Sequence, residues 1–309
     1  MILVDGMKTS ENIEIMRPMK QKAWGWPAAA NFILGGMATG FYILCYLIEI
    51  IQENAFSVAQ SAVCKLLPPV LICLAFLALT LEIGRPMRGH YLFYNLRSSW
   101  MSREALAGTV FVFSAVFDWF YPSLILRNLA VAAGLMFIVS QGFIVFNALA
   151  VTSWNIFLIP IFFSTSALVM GFGMMLLFAA INHMVPGSYL IAIGLGFVII
   201  DFVVWLRYKR WHRDAIFREA AKVSRRSIIV IHTIGVAYLL QTTLLLLLLL
   251  MSIINVGVRF RPGITLFAGL AIVAGDVIQK IAVIIGAGYL RAVVATQSKC
   301  NTQNRNMPV

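Results

Sequence analysis

The chain has 309 residues, of which 61% are apolar and 12% are charged, and its mean hydropathy is +0.89. Soluble domains carry about 25% charged residues, so this composition excludes a water-soluble globular protein. The formal net charge of +12 and the long apolar segments together indicate a membrane protein with several spans and basic loops.

Eight apolar segments of about twenty residues follow one another along the chain without strict alternation, which is typical of transmembrane helices. We predict an all-α integral membrane protein in which eight transmembrane helices pack as a bundle over residues 28–290. Residues 1–27 form an N-terminal tail that lacks the apolar core of a cleavable signal, and residues 291–309 form a C-terminal tail. The predicted spans are 28–51, 62–83, 105–120, 128–151, 159–181, 189–206, 227–256 and 264–290.

The basic residues are distributed unevenly between the two sides of this predicted bundle. Nineteen of the 24 lysines and arginines lie in the tails and in the loops on the same side as the tails, four lie on the opposite side, and Lys280 lies inside a span. The positive-inside rule therefore predicts that both tails, and the loop between the second and third spans, face the cytoplasm. A docking face for an acidic partner would also be basic, so the charge asymmetry has two alternative causes.

The loop between the second and third spans is the most informative segment, because it contains four arginines between two carboxylates at the edge of the membrane, where charge is costly. Glu82 closes a helix, where a negative charge is unfavourable, and we expect Arg85 or Arg88 to be its partner. Glu104 has a structural alternative to a functional role. Ser102 can cap the third helix, which would make Glu104 a first-turn carboxylate facing the positive helix end.

Polar residues inside the spans are the next candidates. Asp276 and Lys280 are four residues apart and are predicted to form an ion pair on one helix face, either as a structural contact or as part of a proton or substrate path. Asn31 lies one turn into the first span. We expect it either to form a helix–helix hydrogen bond or to donate a hydrogen bond to a carbonyl ligand. The segment Gly36-Met-Ala-Thr-Gly40 is a small-residue face that allows helices to pack closely.

We expect neither a metal site nor a haem in this chain. The four cysteines are scattered and show no Cys-x-x-Cys spacing, so they are interpreted as packing residues. Of the four histidines, His183 and His232 lie near span ends, and the predicted topology puts them on opposite sides, which disfavours paired axial haem ligands.

Three motifs carry a resemblance to a known family. They are the glycine-rich first helix (Asn31-Phe-Ile-Leu-Gly-Gly-Met-Ala-Thr-Gly40), the segment Gly84-Arg-Pro-Met-Arg88, and the segment Ser98-Ser-Trp-Met-Ser-Arg-Glu104 that opens the third helix. With its eight spans, the chain resembles the membrane anchor subunits of molybdenum or tungsten oxidoreductases, such as the dimethyl-sulfoxide-reductase anchor and the polysulfide-reductase membrane subunit. The pair Asp276 and Lys280 resembles an acidic and basic pair in the family's last helix. Glu82 departs from the dimethyl-sulfoxide-type anchor, which has a histidine at that position.

The resemblance implies a subunit without haem or redox metal that binds a quinone, either ubiquinone or menaquinone. It implies two protein partners besides the membrane lipid: a ferredoxin-like iron–sulfur subunit with four clusters, and a molybdopterin catalytic subunit with molybdenum or tungsten. We expect the complex in the bacterial cytoplasmic membrane, with its docking face in the cytoplasm, where oxidation of a substrate drives quinone reduction. No nucleic-acid partner is expected.

The expected quinone site combines proton-exchanging carboxylates with hydrogen-bond donors and cations, because quinone chemistry moves two electrons and two protons. Glu104 matches the carboxylate implicated at the family's quinone site. The expected catalytic residues are Glu82 and Glu104, and the expected quinone-binding residues are Asn31, Arg85, Arg88, His90, Trp100 and Arg103.

Two other functions are compatible with the same sequence. A secondary transporter or proton channel would use Asp276, Lys280, Asp201 and Glu49, although the chain shows no clear internal repeat. A purely structural anchor would bind no ligand. Co-purification with an iron–sulfur protein separates the quinone-reactive anchor from the transporter, and quinone binding separates it from the structural anchor.

Overall fold

The computed structural model describes residues 13–15, 21, 24–52, 56–83, 94–151, 153–211, 225–255, 257, 260–286 and 294–296. These residues contain eight α-helices: α1 (Trp26–Ile51), α2 (Val58–Ile83), α3 (Trp100–Phe120), α4 (Leu124–Phe146), α5 (Leu158–Ile181), α6 (Ser188–Trp211), α7 (Arg225–Ile254) and α8 (Arg261–Ile281). A five-residue π-helical segment, Ala282–Gly286, continues α8. Seven of the described helices, all except α3, are long and apolar enough to cross a membrane. The chain is therefore a helical, multi-pass membrane protein.

The described helix ends agree with the predicted span ends to within about five residues, apart from the end of α8 at Ile281, where the π-helical segment continues to Gly286. Differences of four or five residues occur at α2, α3, α4 and α6. Helix α3 begins at Trp100 rather than at residue 105, because Ser99 supplies an N-cap before the polar first turn. Helix α4 occupies Leu124–Phe146 rather than residues 128–151. It begins early because the Asp118 carboxylate accepts a hydrogen bond from the Ser123 backbone N–H at 2.9 Å, which ties the end of α3 to the start of α4.

Helix α1 contacts α2, α4, α5 and α8, and its small residues determine how closely α5 approaches. A Cβ added to Gly40 would lie 2.0 Å from the carbonyl oxygen of Ala167, and a Cβ added to Gly171 would lie 2.1 Å from the carbonyl carbon of Gly40. The two backbones are therefore in direct contact, and the close packing predicted for residues 36–40 is confirmed.

The two ends of the structure differ in the residues that they bring together. The start of α1, the start of α3 and the end of α4 meet at one end, which we call the Glu104 end. The end of α1 and the starts of α2 and α4 meet at the other, the Glu49 end. Two three-residue strands, β1 (Ile13–Ile15) and β2 (Val294–Thr296), pair antiparallel, so the segments before α1 and after α8 run together.

Candidate functional site

Glu104 lies on the second turn of α3 rather than on the first. The hydroxyl oxygen of Ser99 caps the helix by accepting a hydrogen bond from the Ser102 backbone N–H at 3.4 Å, and the first turn contains no acidic residue. The expectation that Ser102 is the cap was therefore wrong, because the helix begins three residues earlier. The field of the helix dipole falls off within the first turn, so it does not account for a carboxylate at Glu104.

Glu104 is held by two amide side chains in the interior. The Asn31 side chain on α1 donates a hydrogen bond from Nδ2 to Glu104 Oε1 at 2.9 Å, and the Gln141 side chain on α4 donates from Nε2 to the same oxygen at 3.1 Å. All three residues are buried, with Glu104 only 2% exposed. We call Asn31, Glu104 and Gln141 the Glu104 cluster. Asn31 Oδ1 has no hydrogen-bond partner among the described residues, so the cluster retains one buried acceptor.

The glycine pair in α1 makes room for the side chains of two other helices. Gln141 Nε2 also donates to the Asn31 carbonyl oxygen at 3.2 Å, and Lys280 Nζ donates to the next carbonyl along, that of Phe32, at 3.3 Å. A Cβ on Gly35 would lie 2.5 Å from Gln141 Nε2, and a Cβ on Gly36 would lie 2.6 Å from Lys280 Nζ. The absence of both Cβ atoms thus lets α4 and α8 place polar groups against α1.

Trp100 and Arg103 stabilise the start of α3. The Arg103 guanidinium lies 4.2 Å from the centre of the Trp100 ring and donates hydrogen bonds to the carbonyl oxygens of Leu96 and Arg97, at 3.0 and 2.6 Å. The Trp100 ring stacks on Phe143 of α4, with ring centres 4.3 Å apart. These contacts fix the turn before α3 and give both residues a structural role, and their contact with a quinone stays a prediction.

Four of the predicted site residues have no described side chain. The backbone of Glu82 lies in the last turn of α2, but its side chain is not among the described residues. Arg85, Arg88 and His90 lie wholly outside the described residues. The proposed pairing of Glu82 with an arginine therefore stays a prediction.

A second group of charged residues lies in the interior between α5, α6, α7 and α8. Lys280 Nζ lies 3.7 Å from Asp276 Oδ2, which confirms the predicted ion pair, and Ser166 Oγ donates to the same carboxylate oxygen at 2.8 Å. Asp201 on α6 accepts hydrogen bonds from the hydroxyls of Thr165 and Tyr238, both at 2.5 Å. We call Asp201, Asp276 and Lys280 the interior cluster.

The Glu49 end holds a third charged group, which bridges four helices. Asp118 on α3 is fully buried, and it pairs with Lys65 Nζ at 2.7 Å and with Arg127 Nε at 3.1 Å. Arg127 also contacts Glu49 at 3.5 Å. Two cations balance two carboxylates here, so this cluster is explained as a structural contact. A small cavity beside it is lined by Tyr42, Cys45, Tyr46, Glu49, Cys64, Lys65 and Arg127.

Gln141 and Tyr238 take part in these contacts and were not predicted, although Gln141 left a signal in the sequence. Gln141 follows Ser140 in an otherwise apolar segment, and a polar side chain inside a span is costly unless it is paired. Tyr238 is the single tyrosine of an apolar span, and no local pattern in the sequence indicates its bond to Asp201. In the described residues no group of three His, Cys, Asp or Glu side chains is placed to hold a metal ion.

No protein-family model matches the chain, and no curated protein matches it.

Proposed function

We propose that the chain is the quinone-binding membrane anchor subunit of a molybdenum or tungsten oxidoreductase, with α3 as the eighth transmembrane helix. The observation that carries the proposal is the Glu104 cluster. It is a buried carboxylate held by two amides at one end of the helices. Glu104 is the last residue of the segment 98–104 that carries the resemblance, and it matches the carboxylate implicated at the family's quinone site. Glu104 has no cationic partner among the described residues, and a buried carboxylate without one is costly, which favours a functional reason for its retention.

The chemistry of the cluster fits the head group of a quinone. Only Oε1 of Glu104 accepts the bonds from Asn31 and Gln141, so these bonds leave Oε2 for a proton or a ligand. Asn31 Oδ1 is a buried acceptor without a partner among the described residues, and it suits the hydroxyl of a hydroquinone.

When bound, a quinone would supply the two-electron, two-proton chemistry. Glu104 then gives or takes a proton at its carboxylate, and the two amides hold that carboxylate in one position. Arginines of the preceding loop stabilise negative charge that develops on a carbonyl oxygen.

The proposal includes two partner subunits and an orientation. An iron–sulfur subunit docks at the Glu104 end and links the quinone to a molybdopterin subunit, which oxidises a cytoplasmic substrate. The excess of basic residues in the tails and loops on this side favours a cytoplasmic location of both tails, in the cytoplasmic membrane of a bacterium. The pairing of β1 with β2 supports tails on a common side, as an even number of spans requires.

The interior cluster favours a second candidate function, a secondary transporter or proton channel. Asp201, Asp276 and Lys280 are each 1% exposed or less. Ionisable groups at such depth are often part of an ion path. This alternative requires that transport continues when the Glu104 cluster is disabled.

The test is a purification in mild detergent through a C-terminal tag, with metal analysis of the product. Iron together with molybdenum or tungsten, and saturable binding of short-chain ubiquinone or menaquinone analogues, is the expected result. A metal-free chain that binds neither analogue would remove the proposal and favour the transporter.

Glu104→Gln tests the site itself. It keeps the size of the side chain but removes the proton-exchanging group, so we expect quinone turnover to fall about 100-fold or more. Activity of the complex with an artificial dye should persist, because the dye bypasses the quinone site. Glu49→Gln is the matched control, since Glu49 lies at the opposite end, where it contacts Arg127 at 3.5 Å. Equal turnover in the two variants would remove Glu104 from the site.

A further inference from the structure

The interior cluster contains more negative than positive charge. Lys280 on α8 faces Asp276 on its own helix and Asp201 on α6, and Tyr238 on α7 is the other titratable group that interacts with the two carboxylates. Helix α5 contributes only neutral groups, the hydroxyls of Thr165 and Ser166 and the sulfur of Met170, and α1 contributes the carbonyl oxygen of Phe32. With all three charged groups ionised, the described cluster therefore carries one uncompensated negative charge.

The depth of burial makes that excess charge costly. Asp201 and Lys280 are fully buried and Asp276 is 1% exposed, so water does not screen them. An unpaired charge in such surroundings strongly destabilises a protein, and proteins neutralise it with a proton or a counter-ion. The hydroxyls that bond Asp201 stabilise its charge but do not cancel it.

Two buried oxygens in this part of the protein are available to a proton or a cation. Asp276 Oδ1 and Gln241 Oε1 are buried and have no hydrogen-bond partner among the described residues. The Gln241 amide lies against the residue before Asp276, since a Cβ on Gly275 would lie 2.2 Å from Gln241 Nε2, and this nitrogen donates to the Ala271 carbonyl oxygen at 3.2 Å. Both unpaired atoms are acceptors, so they suit a proton or a metal cation and not an anion.

We propose that the interior cluster is a binding site for one monovalent cation, a proton or a sodium ion, held at Asp276 Oδ1 and Gln241 Oε1. A proton on Asp276 Oδ1 would give Gln241 Oε1 a donor, and a sodium ion would take both oxygens as ligands. Either cation makes the cluster neutral. The inference goes beyond the quinone site, which lies on α1, α3 and α4, and it holds whether or not that site binds a quinone.

The experiment compares the whole purified protein with its Asp276→Asn variant in two measurements. Thermal unfolding is followed at constant ionic strength while sodium replaces choline. Infrared spectra in H₂O and D₂O detect the C=O stretch of a protonated carboxyl group. Asp118→Asn at the Glu49 end is the control, because Asp118 already has Lys65 and Arg127 as cationic partners.

Each outcome has a defined meaning. A melting temperature that rises with sodium and saturates, and that no longer responds in Asp276→Asn, identifies a sodium ion. A protonated-carboxyl band that Asp276→Asn removes and Asp118→Asn retains, without a sodium effect, identifies a proton. Absence of both effects in the wild-type protein would overturn the proposal.

A second variant keeps the test valid if Asp276→Asn does not fold. Gln241→Leu removes one of the two unpaired oxygens and leaves all three charges in place. It is expected to lower the sodium affinity about tenfold or to shift the carboxyl band, as loss of one hydrogen-bonding or ligating oxygen should. An unchanged affinity and an unchanged band would remove Gln241 from the site and contradict the proposed position.

Discussion

Gly35→Ala is the substitution that most directly tests how the fold builds the Glu104 cluster. The new Cβ would lie 2.5 Å from Gln141 Nε2, whereas ordinary contacts begin at 3.4 Å, so the amide must move by about 0.9 Å. Its bonds to Glu104 Oε1 and to the Asn31 carbonyl oxygen are already 3.1 and 3.2 Å long, and such a shift breaks both.

The part of the expected cost that comes from the amide follows from these two bonds, and the same Cβ would also lie 2.5 Å from Phe137 Cε1, which adds to the cost. A hydrogen bond to a charged group is worth about 1.5–3 kcal/mol and one to a neutral group about 0.5–1.5 kcal/mol. Alanine recovers about 1 kcal/mol over glycine in a helix. We therefore expect Gly35→Ala to lower the free energy of unfolding by about 1–3 kcal/mol and to weaken quinone-analogue binding, because Glu104 loses one of its two amide donors.

The assay is thermal unfolding in detergent together with quinone-analogue titration. Gly196→Ala on α6 is the matched control, since a Cβ there meets no atom within 4 Å. Gly36→Ala is the comparison within α1. Its Cβ meets Lys280 Nζ at 2.6 Å, so it should destabilise the protein while leaving the Gln141 bonds intact. If Gly35→Ala and Gly196→Ala match in stability and in affinity, the missing Cβ of Gly35 is not what makes room for the Gln141 amide.

Three further substitutions test separate parts of the structure by thermal unfolding. Gly40→Ala places a Cβ 2.0 Å from a main-chain oxygen of α5, which cannot rotate away, so we expect a loss of about 1–3 kcal/mol; wild-type stability would contradict the close packing. Lys65→Met leaves the fully buried Asp118 with one cationic partner and should cost about 3–5 kcal/mol, and a loss under about 1 kcal/mol would show that Arg127 suffices. Ser99→Ala should cost about 1 kcal/mol through loss of the cap, and a larger effect of Ser102→Ala would restore the cap first predicted.

The sequence predicted some contacts of the candidate site and missed others. Asn31 was expected to form either a helix–helix bond or a ligand contact, and it does bond to a neighbouring helix through Glu104. The pair of Asp276 and Lys280 was predicted because four residues make one turn of a helix, a local rule that needs no tertiary information. Gln141 was missed because its partners are 37 and 110 residues away in the chain, and no helical period links such distances.

The cap of α3 was missed for a different reason. The sequence offers serines at 98, 99 and 102, each of which is an acceptable cap by residue type. The choice of Ser99 is accompanied by contacts outside its own turn, since Trp100 then stacks on Phe143 of α4 and Arg103 reaches back to the preceding carbonyl oxygens. The preference of serine for the N-cap position does not include these tertiary contacts, so it could not select Ser99 over the other two serines.

The sequence by itself determined the class of this protein. Apolar segments of membrane-spanning length can satisfy their backbone groups in lipid only as helices, so composition and segment length suffice for a helical membrane protein. Tertiary structure decided which polar side chains meet. Glu104 lies between two amides, and Asp201 lies in the same cluster as an ion pair on α8, because close helix crossings at glycines bring distant segments to within hydrogen-bond distance.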